Sequence, residues 1–252
     1  MVKTCVGCGA PLTKETQSRE HILPQWLAQE VRLPDQSLKH YLHDEDATEN
    51  VLLRSHDLGS YAIKNVCASC NNGWMSRLES RAKPVLLGLM NQQSSLLQLS
   101  LDDRTAISAW AIKTAFMIAS ALQSKTDLPW KLFGQLAVEP ERIPVECFVL
   151  AAQPPFLPEG FLYACPTAIM PEGQEPAHIC VGFTVRHLHF VVVIPLFPAD
   201  RVVRTSSIHT PVWPLDLEIG VVYRNFPTFS LPSDLINYLT SIVEVGVVLR
   251  RP

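Results

Sequence analysis

The sequence predicts an α+β protein in two parts, and three observations support this prediction. Cys-x-x-Cys pairs occur at residues 5–8 and 67–70. Apolar residues recur at helical spacing after Asp102, and short alternating runs separated by prolines fill much of the second half. We therefore predict an N-terminal module over residues 1–85 and an α+β domain with a mainly antiparallel sheet over residues 86–252.

The composition is that of a globular protein. Charged residues make up 18% of the 252 residues and hydrophobic residues 47%, which allows a sizeable core and excludes global disorder. No apolar run approaches the roughly 18 residues of a membrane-spanning helix, and the start lacks the apolar stretch of a signal peptide. We expect a cytoplasmic protein with no membrane partner, in which paired cysteines bind metal rather than form disulfides.

The charge distribution restricts where a nucleic-acid partner could bind. Through Pro84, ten Lys and Arg residues balance ten Asp and Glu residues, and the rest of the chain has eleven against fourteen, for a net charge of −3. A nucleic-acid enzyme usually has a basic footprint. Any phosphate-binding surface must therefore be local, or be supplied by bound metal ions.

The elements of the first part follow from local patterns. Residues 22–27 lead into a short helix, with a proline suited to its first turn. The polar and acidic stretch 40–49 is predicted as a loop, and residues 61–66 alternate as a strand does. After a turn at residues 71–73, apolar residues at helical spacing predict a helix that reaches Pro84.

The second part begins with a long amphipathic pattern. Asp102 and Asp103 suit the first turn of a helix because the helix dipole favours negative charge there, and this helix is predicted to end at Gln123. Five β-rich runs follow, over residues 147–152, 161–164, 178–185, 187–194 and 219–223. A last helix is predicted over residues 233–239.

The two Cys-x-x-Cys pairs predict a structural zinc site. The four cysteines are Cys5, Cys8, Cys67 and Cys70. Four thiolates are the full ligand set of a tetrahedral structural Zn²⁺, which leaves no position for a catalytic water and disfavours a zinc hydrolase. About sixty residues separate the pairs, so the ion would close a long loop. Gly7 and Gly9 suit the tight turn around the first pair.

A further motif lies between the cysteine pairs. It reads Glu20-His21-Ile22-Leu23-Pro24, and the second pair continues as Cys70-Asn71-Asn72-Gly73-Trp74-Met75. In this order the motifs resemble those of the HNH, or ββα-metal, endonucleases, over about the first third of the chain. In that family an acidic residue and His precede Ile-x-Pro, and Cys-x-x-Cys leads into Asn or His at the start of a helix. The longer string through Glu79 looks like a subgroup of uncharacterised bacterial HNH proteins.

The resemblance implies a ββα-metal module that hydrolyses phosphodiester bonds in nucleic acid, with DNA as the expected substrate. In that arrangement His21 is the general base, and Glu20 with Asn71 holds one catalytic Mg²⁺ or Mn²⁺, with Asn72 as the rival of Asn71. A neutral imidazole can accept a proton from water near pH 7, and the carboxylate suits a hard dication. Because consecutive strand residues point to opposite faces, Glu20 and His21 could share a site only where the strand ends and bends.

Several alternatives stay open. The family's middle Asn, which orients the histidine, has no clear counterpart, and Asn50, Asn65 or a backbone carbonyl could serve. This gap and the neutral charge suit a non-catalytic, zinc-stabilised module that binds nucleic acid or protein. Arg77 and Arg81, one helical turn apart, could contact phosphate or form a solvated face. The second part could recognise substrate, form a homodimer or sense a ligand.

Overall fold

The fold combines helices with largely antiparallel sheets, as predicted. The computed structural model describes residues 3–31, 37–42, 51–57, 62–122, 128–140, 142–144, 146–153, 161–164, 178–196, 201–205, 210–213, 219–221 and 244–247. Within these residues every strand pair is antiparallel except one. The α+β class is therefore confirmed.

The first part contains two strand pairs and a short helix. The elements are β1 (Gln17–His21), α1 (Gln25–Val31), β2 (Ser37–Leu42), β3 (Val51–Asp57) and β4 (Ala62–Cys67). β1 pairs with β4, with a bulge between Ser18 and Glu20, and β2 pairs with β3. The predicted loop is wrong at residues 40–42, because pairing with β3 extends this polar stretch as strand; residues 43–49 lie outside the described residues.

The chain after β4 turns directly into a helix in three segments. These are α2 (Ala68–Cys70), a π-helical turn (Asn71–Met75) and α3 (Ser76–Met90), with a kink at Gly73. The predicted end at Pro84 is wrong. A proline inside a helix costs about 3 kcal/mol, but burial of Leu86 and Leu89 beyond it offsets that cost. The boundary predicted after residue 85 thus lies inside α3.

Within the described residues, the second part contains a short 3-10 helix (Leu96–Gln98), two α-helices and the larger sheets. The elements are α4 (Leu101–Leu122), α5 (Trp130–Val138), β5 (Phe148–Ala152), β6 (Phe161–Ala164), β7 (His178–Val185), β8 (Leu188–Pro195), β9 (Arg201–Thr205), β10 (Thr210–Trp213), β11 (Ile219–Val221) and β12 (Glu244–Val247). One antiparallel sheet has the order β10-β5-β8-β7-β6. In another, β9 lies between β12 and a parallel β11.

The predictions for the second part agree with some of these bounds, but the strands β9, β10 and β12 were not predicted. The long helix is shifted by one residue at each end, and the strands at 161–164 and 178–185 coincide with β6 and β7. The helix α5 was missed because it has only nine residues, although its buried residues Leu132, Phe133 and Leu136 do recur at helical spacing. The helix predicted over residues 233–239 lies outside the described residues.

The helix α4 lies at the centre of the core. All its residues from Ala106 to Ala119 are buried, because α3 and β4 pack against it as well as β5, β7, β8 and β10. Trp110 meets Phe183 and Phe190 edge-on, at 5.8 and 5.7 Å between ring centroids. One continuous apolar cluster runs from Cys5 to Val212. The two predicted parts therefore share a core across residue 85.

A polar contact also joins the two parts. Arg186, in the turn between β7 and β8, donates to the Glu30 carbonyl oxygen at 2.6 Å and to Asn91 Oδ1 at 3.0 Å. Its φ of 51° lies in the left-handed region that favours glycine, so these two bonds hold a conformation that the residue would otherwise disfavour. Of the helices in the part of the chain that the structure describes, none has the length and apolarity to span a bilayer.

Candidate functional site

The four cysteines converge on one point. Their sulfur atoms all lie within 4.8 Å of one another, and Cys8 Sγ lies 3.7 Å from Cys67 Sγ. A tetrahedral Zn²⁺ with bonds of about 2.3 Å holds its sulfurs about 3.8 Å apart. The donor set and its spacing fit, so the cluster could bind a zinc ion.

The turn around the first cysteine pair depends on its glycines. The Gly9 N–H donates to the Cys5 carbonyl at 2.8 Å, and Gly9 has a φ of 74°, which only glycine adopts freely. A Cβ on Gly7 would lie 3.2 Å from Cys70 Sγ. The first turn can therefore approach the second cysteine pair closely only because it lacks a side chain there.

Backbone N–H groups of the second cysteine pair point at sulfur atoms of the cluster. The Cys67 N–H donates to Cys5 Sγ at 3.3 Å, and the Cys70 N–H donates to Cys67 Sγ at 3.4 Å. Burial raises the pKa of the Cys5 thiol, but hydrogen bonds from the backbone of Cys67, Cys8 and Gly7 lower it to about 7. Burial raises the pKa of the Cys70 thiol far above its usual range. A bound dication would favour the thiolate form of every member.

The helix α5 packs against the cysteine turn. The Trp74 and Phe133 rings meet edge-on with centroids 5.4 Å apart. A Cβ on Gly134 would lie 3.6 Å from the Gly7 carbonyl oxygen. The surroundings of the cysteine cluster thus include residues from the predicted second part.

Asn71 joins the helix after the cysteines to the strand that carries His21. Its Nδ2 donates to Ser18 Oγ at 2.7 Å and to the Arg19 carbonyl oxygen at 3.3 Å. β1 ends at His21, which is partly exposed, and Asn72 is exposed. The structure therefore brings Asn71 against Ser18 and Arg19 of β1, three and two residues before His21.

The Glu20 carboxylate lies on the opposite, buried side of β1. Its side chain is 4% exposed and contacts the Nζ of Lys113, which is fully buried on α4. Lys113 Nζ also lies 2.7 Å from Glu79 Oε1 on α3. The predicted role of Glu20 as ligand of a catalytic Mg²⁺ does not fit this environment, because strand alternation turns it into the core and an ammonium group already binds it.

The charges in this buried group are mutually dependent. Burial raises the pKa of Glu20, and the nearby ammonium group of Lys113 opposes that shift without cancelling it. Burial alone would lower the pKa of Lys113, but Glu20 and Glu79 together raise it above its ordinary value. Lys113 therefore stays charged at neutral pH and accounts for the burial of the acidic side chains.

The remaining candidates have other partners or other positions. Asn65 Nδ2 donates to Ser120 Oγ on α4 at 2.9 Å, so this amide faces α4; Asn50 lies outside the described residues. Arg77 is exposed, and its Nη1 lies 3.9 Å from where a Cβ on Gly73 would be. Arg81 Nη2 lies 3.8 Å from an oxygen of Asp102. Of the two arginines, Arg77 lies closer to the turn that begins at Asn71.

Sequence reasoning missed Lys113. The signal was present, because Lys113 is the one charged residue between Arg104 and Lys125, within an otherwise apolar helix. A lysine in such a helix must be paired if it is buried. Within the described residues, the cysteine cluster is the one group of three or more His, Cys, Asp or Glu side chains close enough to hold a metal ion.

Comparisons of the chain with protein-family models, curated proteins and solved structures find no match. The resemblance to HNH endonucleases therefore depends on the motifs themselves.

Proposed function

We propose that the protein is an HNH-type endonuclease that hydrolyses phosphodiester bonds, with DNA as substrate and His21 as general base. The observation that carries the proposal is the contact of Asn71 with β1, 2.7 Å from its Nδ2 to Ser18 Oγ. It joins the start of the helix after the cysteines to the strand that ends at His21. This is the juxtaposition that the order of the motifs implies.

The cysteine cluster supports the proposal by a structural role. In it, Cys5, Cys8, Cys67 and Cys70 hold one Zn²⁺ that joins the N-terminal turn to β4 and α2. Zinc with four thiolates has no open position, so the ion organises the module and takes no part in hydrolysis.

In this proposal His21 acts as the general base of the hydrolytic step. A neutral imidazole accepts a proton from the attacking water, and its partial exposure leaves it accessible to a substrate. A catalytic Mg²⁺ or Mn²⁺ would neutralise charge on the phosphate. Glu20 does not fit as its ligand, so the oxygen donors of the chain that remain from the prediction are Asn71 and Asn72.

The first part is neutral overall, with ten basic against ten acidic residues through Pro84. The segments that carry the candidate site nevertheless have a positive excess, which favours a polyanionic substrate. Across residues 3–31 and 62–84, seven Lys and Arg residues stand against four acidic residues. Two of those four, Glu20 and Glu79, bind Lys113 and so contribute little to the surface. Arg19, whose carbonyl oxygen accepts a hydrogen bond from Asn71, and Arg77, on the helix that follows Asn71, are both exposed and would meet the phosphates.

A plasmid-nicking assay tests the proposal. The full chain, loaded with zinc, is incubated with supercoiled DNA and Mg²⁺ or Mn²⁺, and His21→Ala is compared with His187→Ala, a matched change in the turn between β7 and β8. Loss of a general base lowers the rate by about 10²–10⁴, so His21→Ala should be nearly inactive and His187→Ala active. Equal cleavage by both variants, or none by the zinc-loaded wild type, would reject the proposal.

A second function, a non-catalytic module that binds nucleic acid, is favoured by one observation. Lys113 binds the carboxylate that the family resemblance assigns to the catalytic metal. In this case the wild type would bind DNA in a fluorescence anisotropy assay, with an affinity that falls as salt rises, and would not nick it. The same preparation therefore distinguishes the two functions.

A further inference from the structure

A buried ion triad links three elements beside the candidate site. It consists of Lys113 on α4, Glu20 on β1 and Glu79 on α3, and we call it the Lys113 triad. The side chains are 0%, 4% and 21% exposed, respectively. Both carboxylates contact the same ammonium group, so the triad carries one net negative charge in the core.

The triad connects both halves of the proposed catalytic site. Glu20 immediately precedes His21, and Glu79 lies on α3, which continues from the turn that begins at Asn71. The strand is therefore held to the helix twice, by Asn71 at the surface and by Lys113 in the interior. Because Lys113 belongs to the central helix α4, the interior link also joins the strand to the core of the second part.

Stability alone is a weak reason for such a triad. Replacing a buried ion pair by apolar side chains of similar volume is often neutral or stabilising, whereas removing one partner is strongly destabilising. A methionine would suit the apolar surroundings of α4 at position 113. The triad is better explained by the geometry that it imposes, since each carboxylate must lie within reach of one buried nitrogen.

We propose that Lys113 is a positioning residue that, through Glu20, fixes the end of β1 and hence the place of His21 relative to Asn71. The consequence for activity rests on the proposed function; the consequence for the order of β1 does not. Lys113 does not touch substrate, and it acts only through Glu20.

Four zinc-loaded full-length variants test this role. Lys113→Met alone leaves the buried Glu20 carboxylate and the partly exposed Glu79 carboxylate unpaired and is expected to be the least stable. Lys113→Met with Glu20→Gln leaves a single negative charge, on the partly exposed Glu79, and is expected to be more stable than Lys113→Met alone. Lys131→Met, the same change at an exposed position of α5, is the control. The fourth variant is Glu20→Gln alone, which leaves a neutral Lys113–Glu79 pair; it is measured in every case and also replaces the double variant if that variant does not fold.

Two measurements are made on the folded variants. In hydrogen–deuterium exchange, peptides covering residues 17–22 should exchange at least about 10-fold faster in the double variant than in the control. The reason is that β1, without the ionic contact to α4, opens locally more often. In the nicking assay, kcat should fall about 100-fold, the effect of a misplacement near 1 Å, with KM nearly unchanged. Glu20→Gln should behave in the same way, and raising Mn²⁺ should not restore its activity.

The outcomes distinguish failure of the positioning role of Lys113 from failure of the proposed nuclease function. Wild-type exchange over residues 17–22 together with wild-type kcat in the double variant would overturn the positioning role. Rescue of Glu20→Gln by added Mn²⁺ would also overturn it, because it would make Glu20 a metal ligand. If the wild type itself does not cleave DNA, the proposed function fails, and the exchange measurement alone decides whether Lys113 orders β1.

Discussion

Replacing Cys8 by serine is the cleanest test of the metal site. The other three cysteines of the cluster are buried, so changing them would also disturb packing, whereas Cys8 is exposed. Cys8→Ser exchanges one sulfur for an oxygen at the surface and removes one ligand. A large loss of stability in this variant would therefore indicate that the cluster binds a metal ion.

The size of the loss can be estimated from the loop that the metal closes. Cys8 and Cys67 are 59 residues apart in sequence, and closing a loop of that length stabilises a protein by about 4 kcal/mol in the chain-entropy treatment. Direct zinc binding is worth more, on the order of 10 kcal/mol, against a total stability of about 5–15 kcal/mol. The loop-closure contribution of about 4 kcal/mol, if lost by itself, lowers Tm by about 8–16 °C for a chain of this size.

Calorimetric melting with measurement of bound zinc gives the readout. The wild type should hold one zinc per chain and lose Tm when a chelator is added, and Cys8→Ser should melt at least about 8 °C lower. Ala10→Ser, an exposed change in the same turn that removes no ligand, should melt as the wild type. If Cys8→Ser melts with Ala10→Ser, or the wild type holds no stoichiometric zinc, the reasoning from four converging sulfurs is refuted.

Two further predictions concern protons and the shared core. Zinc affinity should fall as pH drops from about 8 to about 6, because the metal must displace thiol protons. The pKa of Cys5 is lowered only to about 7, and burial raises the pKa of Cys70. A chelator competition that gives the same Kd across this pH range would contradict the prediction. A fragment of residues 91–252 should lose cooperative melting, because α4 would expose the face that packs on α3 and β4 and Lys113 would lose both carboxylates. A calorimetric transition like that of the full chain would instead support an independent second domain.

The parts of the structure that the sequence predicted well depend on local patterns. Four cysteines in two Cys-x-x-Cys pairs of the same spacing favour a shared metal ion, and their sulfur atoms do converge. The long helix was located to within one residue at each end, because its acidic first turn and its apolar period are both local signals. The same holds for β6 and β7, which are bounded by prolines or turns.

The parts that the sequence did not predict depend on tertiary contacts. The end of α3 was placed at Pro84 because proline usually ends a helix, but the packing of Leu86 and Leu89 carries the helix beyond it. The environment of Glu20 was misjudged for a similar reason. The sequence pattern of an acidic residue before a histidine does not show which face of the strand the acidic side chain occupies. The lysine that contacts Glu20 lies on α4, far along the chain.

The contacts of α4 and α5 argue that the second part does more than accompany the first. Lys113 pairs with Glu20 and Glu79 of the first part, and Phe133 and Gly134 lie against Trp74 and the turn that carries the first cysteine pair. Without these contacts, β1 would present a buried carboxylate with no counter-charge, and the cysteine turn would lose one wall. A ligand or a partner that shifted α4 would therefore act on the end of β1 through a direct ionic contact, with His21 as the next residue along the chain.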